Sequence, residues 1–388
     1  MGLYVIAVIP LLVWAWLLTA RGGFWRVPRR AAPAPARPGA PEPKVVALIP
    51  ARNEATLIGA AVSSLARQTF AGLLHLVVID DESSDGTADA ATAAACACGA
   101  SARLTVIRGT ALPQGWTGKL WALSQGVAAA ANFEPDYLLF TDADIEHAPG
   151  NLESLVADAE AHHRDLVSSM ARLSTATVAE RLLIPAFVFF FFMLYPPAWV
   201  AAAQRRTAAA AGGCILIRPQ ALTRIGGLES IRSCIIDDCA LARAVKASGG
   251  RLSLAATHDV RSLRAYASFT AIGALISRCA FAQLRHSYLA LIGTLLGLFV
   301  TFLLAPALLF LGDPVAAGLG AAALLLMGLA YLPMVRFYDL SWPWCLCLPL
   351  TMLFYLAAVL HSVAEYARGR GGHWKGRPQD PGGLRGTE

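Results

Sequence analysis

The sequence predicts an α/β domain with a mostly parallel sheet, set between apolar helices near the two ends of the chain. Of the 388 residues, 56% are hydrophobic and only 15% are charged, and the mean hydropathy is +0.53. An average soluble domain has about 25% charged residues. The apolar residues are concentrated in uncharged stretches, and strand-like and helix-like segments alternate between these stretches. The pattern excludes an ordinary soluble protein and predicts a membrane-anchored one.

Four stretches contain no charged residue and approach the ~20 residues that a helix needs to cross a bilayer. They cover residues 1–20, 287–312, 314–335 and 340–364. No basic residue precedes the first stretch and no small-residue cleavage site precedes Arg21, so we expect an uncleaved transmembrane anchor over 1–20 rather than a signal peptide. Two to three transmembrane helices are expected within 287–366.

The basic residues indicate which ends of these spans face the cytoplasm. They cluster after the first span and after the last one, and the net charge is only +6. This distribution fits the positive-inside rule and anionic lipid, and it makes nucleic acid a poor partner. The cysteines form no paired zinc-binding pattern, so reduced thiols are expected.

The charge rule conflicts with the number of predicted spans. One span before the polar domain and three after it would place the basic tail over 367–388 outside the cell. We therefore predict that 340–364 does not cross the membrane. Pro343 and Pro349 interrupt its first half, while Trp342 and Trp344 suit a membrane interface.

Between the first two spans lie a linker and the predicted α/β domain. Residues 21–43 are basic and rich in Pro and Ala, which predicts an extended spacer. The α/β domain is expected over 44–268. Strands are predicted at 44–50, 74–80, 103–108 and 137–141, and helices at 54–68, 86–98 and 119–131. Ligands of such a sheet bind at the carboxyl ends of its strands.

Polar residues follow three of the predicted strands. They are Arg52, Asn53 and Glu54 after the first, Asp80 and Asp81 after the second, and Asp142 and Asp144 after the fourth. Two carboxylates two residues apart can converge on a hard divalent cation whose other ligands are water and phosphate oxygens. Alone, such a pair is more often a solvated turn or a helix cap.

Five motifs in order resemble a known family. They are IPARNE (49–54), IDDESSDGT (79–87), TDAD (141–144), GGCILIR (212–218) and IDDCALA (236–242). In this order and spacing they look like the family 2 inverting glycosyltransferases, whose fold is GT-A, a Rossmann-like α/β fold. GWTGKLWAL (115–123) and the C-terminal spans are similar to the hopanoid-biosynthesis-associated subgroup, which is itself similar to ceramide glucosyltransferases.

The resemblance implies a role for each matching residue. The nucleotide's uracil and ribose would lie near Pro50, Arg52, Glu54, Asp80 and Asp81, the diphosphate or ribose near Lys119, and a divalent metal, Mg or Mn, on Asp142 and Asp144. Asp142 would thereby also bind the donor, and the sequence leaves open which of the two carboxylates ligates the metal directly. The alternative for Lys119 is a surface lysine at a helix start, where a cation is unfavourable.

Asp237 and Asp238 match the family's catalytic carboxylate pair, so Asp238 is the expected general base and Asp237 its neighbour. Asp237 stands where the family has Glu, which puts its own role in doubt. Adjacent carboxylates raise one another's pKa, which helps a base. The alternative is an acidic start of a helix over 239–248. Gly212 and Gly213 would form a close backbone turn on the acceptor side.

Three further sequence features bear on the predicted site. His147 and His258 lie near the predicted sheet edge and could complete a metal shell, but we expect them to be ordinary polar residues. The QxxRW motif of processive synthases is absent from 269–286, which we expect to be an interfacial helix. Arg278 and Arg285 in that region could reach the diphosphate or lipid headgroups.

Residues 182–204 form another uncharged stretch that is long enough to span the membrane. A crossing there would separate Asp142 and Asp144 from Asp238, so a single active site could not form. We expect an interfacial or bent helix, broken by prolines, that helps to admit a lipid acceptor. The alternative is a buried helix of the α/β domain.

The predicted function is transfer of a sugar from a nucleotide-sugar donor, a UDP-sugar, to a lipid hydroxyl, with a hopanoid role implied by the resemblance alone. The predicted location is the bacterial inner membrane, with several spans and a cytoplasmic catalytic domain. Two alternatives stay open: a processive polysaccharide or polyprenyl-phosphate transferase, and a non-catalytic scaffold that binds sugar nucleotides. The sugar itself is not fixed by the sequence.

Overall fold

A computed structural model of the chain describes residues 2–28, 42–368, 373–374 and 377–378. Most of the predicted linker over 21–43 and of the basic tail over 367–388 lies outside these residues. The chain forms two compact units. The helical unit contains Met1–Pro28, Thr175–Ala198 and Tyr266–Gly371, and the sheet unit contains Arg29–Ser174, Trp199–Ala265 and Gly372–Glu388.

The elements follow one another in an order close to the predicted one. The strands are β1 (Lys44–Ala51), β2 (Leu73–Asp80), β3 (Leu104–Arg108), β4 (Tyr137–Thr141), β5 (Ile145–His147), β6 (Leu166–Arg172), β7 (Cys214–Ile217), β8 (Leu252–Ser262), β9 (His373–Trp374) and β10 (Arg377–Pro378). The helices are α1 (Gly2–Ala20), α2 (Ile58–Ala66), α3 (Thr87–Ala97), α4 (Gly118–Ala130), α5 (Asn151–Ala161), α6 (Val178–Leu194), α7 (Pro197–Ala201), α8 (Pro219–Arg224), α9 (Asp237–Ala247), α10 (Phe269–Gln283), α11 (Tyr288–Leu298), α12 (Leu304–Leu308), α13 (Pro314–Phe337) and α14 (Leu348–Ala367).

The sheet unit is built on an eight-stranded sheet with the order β3-β2-β1-β4-β7-β6-β8-β5. The pairs β1–β2, β1–β4, β2–β3 and β6–β8 are parallel, and β4–β7, β6–β7 and β5–β8 are antiparallel. The predicted mostly parallel α/β fold is confirmed. Strand β1 is central and packed on both faces, which explains its unbroken run of apolar residues.

The parallel register places the ends of the strands at one edge. Ala51 at the end of β1 is paired with Asp80 at the end of β2, and Leu48 of β1 is paired with Phe140 of β4. The residues that follow these strands are therefore neighbours in space. On one face α4 packs close to the sheet, because a Cβ added at Gly126 would lie 2.7 Å from the side chain of Ile79.

The helical unit contains four helices that are long and apolar enough to cross a membrane. They are Gly2–Ala20, Tyr288–Leu308, Pro314–Phe337 and Trp342–Ala367. The second consists of α11, a π-helical turn at Phe299–Leu303 and α12. The length and composition of these helices indicate an association with a membrane.

Three of these helices pack together as a bundle, and their contacts show which of them run parallel and which antiparallel. The Tyr4 hydroxyl donates to Asp313 Oδ2 at 3.1 Å, and Trp14 Nε1 donates to the Thr301 carbonyl at 2.7 Å. Ala7 packs with Leu308 and with a residue of the first turn of α13. α1 and α13 are therefore parallel, and the helix Tyr288–Leu308 runs antiparallel to both.

The fourth helix does not follow this bundle from end to end. Before α14, Cys345 lies near Gly328 in the second half of α13. Near its end, the Ser362 hydroxyl accepts a hydrogen bond from the Phe281 backbone at 3.1 Å, and Tyr366 stacks on His286 at 4.1 Å. His286 lies two residues before α11 begins. Both ends of α14 are thus at the end of the bundle where α1 finishes.

Helix α6 belongs to the helical unit and differs from its predicted form. The sequence predicted that Pro185 would interrupt it, but the helix runs through Pro185, and it ends at Leu194, before Pro196 and Pro197. Pro185 has no N–H to donate to the preceding turn. Side chains of α14 donate to nearby carbonyls of α6, and the Tyr355 hydroxyl donates to the Leu183 carbonyl at 3.0 Å.

Candidate functional site

The loops that follow β1 and β2 are joined by hydrogen bonds. Asn53 has a left-handed backbone (φ 52°), its N–H donates to Ser83 Oγ, and its Oδ1 accepts from the Ser84 N–H, both at 3.0 Å. The Glu54 N–H donates to Thr87 Oγ1 at 2.9 Å. These contacts fix the edge of the sheet at which the IPARNE and IDDESSDGT motifs meet.

The five predicted base-binding residues all lie at this edge, but they differ in their contacts. Arg52 donates from Nη1 to the Asp81 carbonyl at 2.5 Å and lies 3.7 Å from Asp81 Oδ2, and the Asp81 side chain is fully buried. Asp80 accepts from the Ser83 N–H at 3.0 Å and caps its own loop. Pro50 is buried in β1.

Lys119 is placed by the loop that precedes α4. In this loop Trp116 packs edge-on against Trp121, and the Thr117 N–H donates to the Arg232 carbonyl at 2.9 Å. Lys119 Nζ lies 2.7 Å from Asp142 Oδ1 and 3.6 Å from Asp237 Oδ2. Burial lowers the pKa of Lys119, but these carboxylates raise it by more than burial lowers it. The net pKa is above the ordinary value, so the side chain stays charged. It is not the surface lysine of the alternative interpretation.

The two carboxylates of TDAD contact different cations. Asp142 pairs with Lys119, whereas Asp144 Oδ2 accepts from Arg264 Nε at 3.1 Å and from Ser262 Oγ at 3.0 Å. Burial raises the pKa of Asp142, Lys119 opposes that change, and Asp144 adds to it.

Arg264 is a site residue that the sequence analysis missed. Its guanidinium also forms an ion pair with Glu54, so it connects the loop after β1 with the TDAD segment. The connection depends on the antiparallel pair β5–β8, which sets Ile145 opposite Ser262. No local motif marks Arg264, since its partners are more than 100 residues away in the chain.

Asp238 is held by two backbone N–H groups at the start of α9. Its Oδ2 accepts from Gly212 at 2.9 Å, and its Oδ1 accepts from Cys239 at 2.7 Å. Burial, and then the charge of Asp237, raise the pKa of Asp238 to about 6, while Lys119 and the two N–H groups act in the opposite direction. The predicted helix does start here, so the acidic pair also lies at a helix N-terminus.

The glycine pair before β7 allows this close approach. A Cβ at Gly212 would lie 3.2 Å from Lys119 Nζ and 3.3 Å from Asp238 Oδ2, and one at Gly213 would lie 3.1 Å from the Ile145 side chain. Space, and not backbone conformation, favours glycine at these two positions, since neither has a positive φ. Lys119, Asp142, Asp237, Asp238 and Gly212 therefore form one cluster.

His147 lies in a buried network and points to no ligand. The Thr141 hydroxyl donates to the Gly213 carbonyl at 3.0 Å, so it accepts from His147 Nε2, 2.9 Å away. His147 Nδ1 then accepts from the Asn151 amide at 2.9 Å. Burial lowers the pKa of His147 to about 4. The network requires a neutral ring, and His258 is exposed on β8.

The carboxylates at this edge can bind a divalent cation only if the substrate supplies further oxygen ligands. Among the described residues, no three His, Cys, Asp or Glu side chains are gathered as an ion site. Mg²⁺, however, is commonly held by one or two carboxylates together with substrate phosphates and water. Asp142 and Asp144 provide two carboxylates, and the ammonium of Lys119 shows that this cluster attracts cations. The residues therefore fit a metal that binds together with a diphosphate.

Comparison with known proteins agrees with this geometry. Residues 46–225 match the sequence model of the family described as "Glycosyl transferase family 2". No curated protein matches the chain. The matched segment contains β1 to β7, with Lys119, Asp142, Asp144 and Gly212, and ends before Asp238.

Several solved structures match the chain at low sequence identity, and the first of these resembles its fold. The mannosyltransferase PcManGT from Pyrobaculum calidifontis, in complex with GDP-Man and Mn²⁺, is 20% identical, with a TM-score of 0.54 over 93% of this chain and 99% of that one. The S. aureus TarS fragment 1–349 in complex with UDP is 16% identical, with a TM-score of 0.39 over 84% of this chain and 92% of that one. The Mycobacterium tuberculosis glucosyl-3-phosphoglycerate synthase is 17% identical, with a TM-score of 0.38 over 62% and 81%.

These findings agree with the resemblance of the five motifs. Residues 46–225 match the model of glycosyltransferase family 2, and the expected GT-A fold is confirmed. These comparisons do not show the hopanoid subgroup or the similarity to ceramide glucosyltransferases.

Proposed function

We propose that the protein is a membrane-bound inverting glycosyltransferase that moves a sugar from a UDP-sugar to the hydroxyl group of a lipid. The family 2 domain supports transfer from a nucleotide sugar. One observation carries the mechanism: Asp238 is fixed by two backbone N–H groups, is next to Asp237, and lies in the cluster that holds Lys119 and Asp142. A proton acceptor and a phosphate-binding cation therefore share one site.

Asp238 takes up the proton of the acceptor hydroxyl. As that proton moves to the Asp238 carboxylate, the acceptor oxygen attacks the anomeric carbon, and the bond from this carbon to the β-phosphate oxygen breaks. The leaving UDP keeps the electron pair. Attack on the side opposite to the leaving group inverts the anomeric configuration. A raised pKa suits this role, because the carboxylate then binds the proton more readily while staying ionised near neutral pH.

Lys119 and the TDAD carboxylates act on the leaving group. Lys119 can turn from Asp142 to the diphosphate, where its charge opposes the charge that develops on UDP. A divalent cation bound to Asp142 and Asp144 would neutralise further charge on the diphosphate. Arg52 and Asp81, packed together at the end of β1, are proposed to bind the uracil and ribose. Gly212 and Gly213 are proposed to line the acceptor side.

The apolar helices support the proposal of a lipid acceptor. Four helices could cross a membrane, and α6, inserted between the TDAD and Asp238 segments, also belongs to the helical unit. We propose that the protein lies in the bacterial inner membrane, with the sheet unit in the cytoplasm, where Arg21 and Arg26 follow the first span. A hopanoid acceptor is supported only by the resemblance of GWTGKLWAL (115–123) to the hopanoid-associated enzymes.

The proposal is tested by incubating the purified full-length chain with a panel of UDP-, GDP- and TDP-sugars and measuring release of the nucleoside diphosphate. We expect hydrolysis of a UDP-sugar in the presence of Mg²⁺ or Mn²⁺. The variant Asp142→Ala/Asp144→Ala should lose both turnover and metal-dependent UDP binding. Full activity in excess EDTA would show that the metal assignment is wrong. Release from no donor at all would contradict the enzymatic proposal.

A further inference from the structure

The helical unit contains a cavity of about 350 Å³ between α1, the end of α6 and α11. Its walls are mostly apolar and include Leu17, Leu194, Leu298 and Phe302. Arg21 is the one charged residue in the lining. An apolar cavity with a single cation at its rim is complementary to a lipid, which has an apolar body and a polar head.

The cavity lies in the half of the bundle that contains the end of α1. It is lined by α1 from Val13 onward and by the middle of the helix Tyr288–Leu308, whereas Ala7 and Leu308 pack together nearer the other end. It therefore opens toward the end of the bundle at which α1 finishes and Arg21 follows. Because α1 and Tyr288–Leu308 are both candidate spans, a molecule in the cavity would come from the membrane.

Arg21 is oriented at this rim by specific contacts. Its Nε donates to the Met193 carbonyl at 3.1 Å, and its guanidinium lies 5.9 Å from the ring centre of Trp16. These contacts hold the cation beside the cavity instead of leaving it extended into solvent. Its position fits a head that offers oxygen acceptors.

The wall formed by α11 is open at one position. A Cβ added at Gly297 would have no heavy atom within 4 Å. A π-helical turn follows at Phe299–Leu303, and its Thr301 carbonyl accepts a hydrogen bond from Trp14 Nε1, which ties this wall to α1. Such turns occur frequently at functional sites. A larger side chain at Gly297 would therefore extend into the cavity without disturbing its neighbours.

We propose that this cavity, which we call the groove, binds the apolar body of the lipid acceptor, with the acceptor's polar head at Arg21. The inference rests on the proposed function, which requires an acceptor that arrives from the membrane. The same chemistry would also fit an anionic phospholipid that resides there permanently, so the experiment has to separate these two sources.

The test uses the full chain in lipid nanodiscs and two photoactivatable probes. One is a diazirine-labelled long-chain alcohol, which represents the acceptor, and the other is diazirine-labelled phosphatidylglycerol. Cross-linked peptides are mapped by mass spectrometry. We expect the alcohol to label residues 294–302 preferentially, and Gly297→Leu to reduce this labelling at least fivefold. Arg21→Gln, as a second variant, should weaken it as well.

Gly318→Leu is the matched control. Gly318 lies on α13, is exposed, and has no heavy atom within 4 Å of an added Cβ, so leucine there adds the same bulk away from the groove. Its labelling should equal that of the wild type. Equal labelling of α13 and α11, or no change in Gly297→Leu, would overturn the proposal. Displacement of the alcohol by phosphatidylglycerol would also overturn it, since the site would then hold a resident phospholipid.

Wild-type donor hydrolysis, which needs no acceptor, separates the two proposals. If a UDP-sugar is hydrolysed but the groove is not labelled, only the groove assignment is wrong. If the groove is labelled but no donor is hydrolysed, the proposed function is wrong, and the groove is not an acceptor site. If both occur, Gly297→Leu should raise the KM for the lipid acceptor about tenfold relative to Gly318→Leu.

Discussion

Arg264 donates from Nε to Asp144 Oδ2 at 3.1 Å across 120 residues of sequence, and the same guanidinium pairs with Glu54. The second carboxylate of TDAD is therefore neutralised by a protein cation. A metal ion that binds Asp144 has to compete with this contact.

Replacing Arg264 by Gln should strengthen the binding of Mn²⁺. A partly exposed ion pair is worth about 1 kcal/mol at most, which corresponds to roughly a fivefold lower dissociation constant. Electron paramagnetic resonance of free Mn²⁺ would measure it in the presence of UDP. Arg261→Gln is the control, because Arg261 pairs with Glu146 on the exposed side of the same β5–β8 pair. Equal or weaker binding in Arg264→Gln would show that Arg264 does not compete with the metal.

Replacing Asp238 by Asn should stop the proton transfer and leave donor binding intact. The amide keeps the size of the side chain, and its oxygen can still accept from the Gly212 N–H. Loss of a general base typically costs ~10² or more in rate. Transfer rates and the UDP dissociation constant should be measured on the same preparation. If donor affinity falls as much as the rate does, Asp238 is a binding residue.

The rate of transfer should fall as the pH decreases through about 6. The pKa of Asp238 is raised to about 6 by burial and by Asp237, against the charge of Lys119, and only the ionised carboxylate can accept a proton. Below that pH, kcat/KM should decrease roughly tenfold per pH unit. In Asp237→Asn one raising charge is removed, so the acid limb should move to lower pH. A limb that stays in place would exclude Asp238 as the group that titrates.

Protonation of His147 should destabilise the sheet unit in mild acid. Its folded pKa of about 4 is below the ~6.5 of an unfolded chain, so the unfolded state binds more protons between these values. The free energy of unfolding therefore falls as the pH drops from 6.5 to 4, by ~3 kcal/mol at most. The melting temperature of the wild type should exceed that of His147→Gln at pH 7, and the difference should shrink at pH 4.5. A constant difference would contradict the assigned neutral ring.

The basic tail should lie on the same side of the membrane as the sheet unit. α14 starts beside the second half of α13 and ends beside His286, so it does not reach the end of the bundle that holds Gly2 and Pro314. We therefore expect three crossings. A membrane-impermeant thiol reagent applied to intact cells should label Phe310→Cys, in the loop before α13, and should not label Gly372→Cys. Labelling of Gly372→Cys from outside would mean that α14 crosses.

Local sequence features predicted most of the sheet unit. The strands β1, β2, β3 and β4 lie within one residue of their predicted bounds, because each is a short apolar run that ends in polar residues. Asp142 and Asp238 were predicted through motifs that are each contiguous in sequence. Lys119 required the family resemblance, since an isolated lysine at a helix start carries little information.

What the sequence did not predict depends on long-range pairing. β5 is only three residues long, and its pairing with β8, which brings Arg264 to Asp144, leaves no periodic pattern. Pro185 was expected to break its helix because propensity disfavours proline there. Hydrogen bonds from α14 to carbonyls of α6 stabilise the helix close to Pro185, and such long-range contacts cannot be seen in one segment alone.

The insertion of 175–198 into the sheet unit has a consequence for how the enzyme can be made. The TDAD segment, which carries Asp142, is synthesised before α6, and the helix that carries Asp238 is synthesised after it. Helix α6 has four consecutive phenylalanines. During translation the site stays incomplete until that apolar helix has left the ribosome and found its partners. A truncated chain over 44–268, made without the remaining helices, would expose α6 to water. We expect such a fragment to aggregate, so active enzyme has to be produced together with its membrane helices.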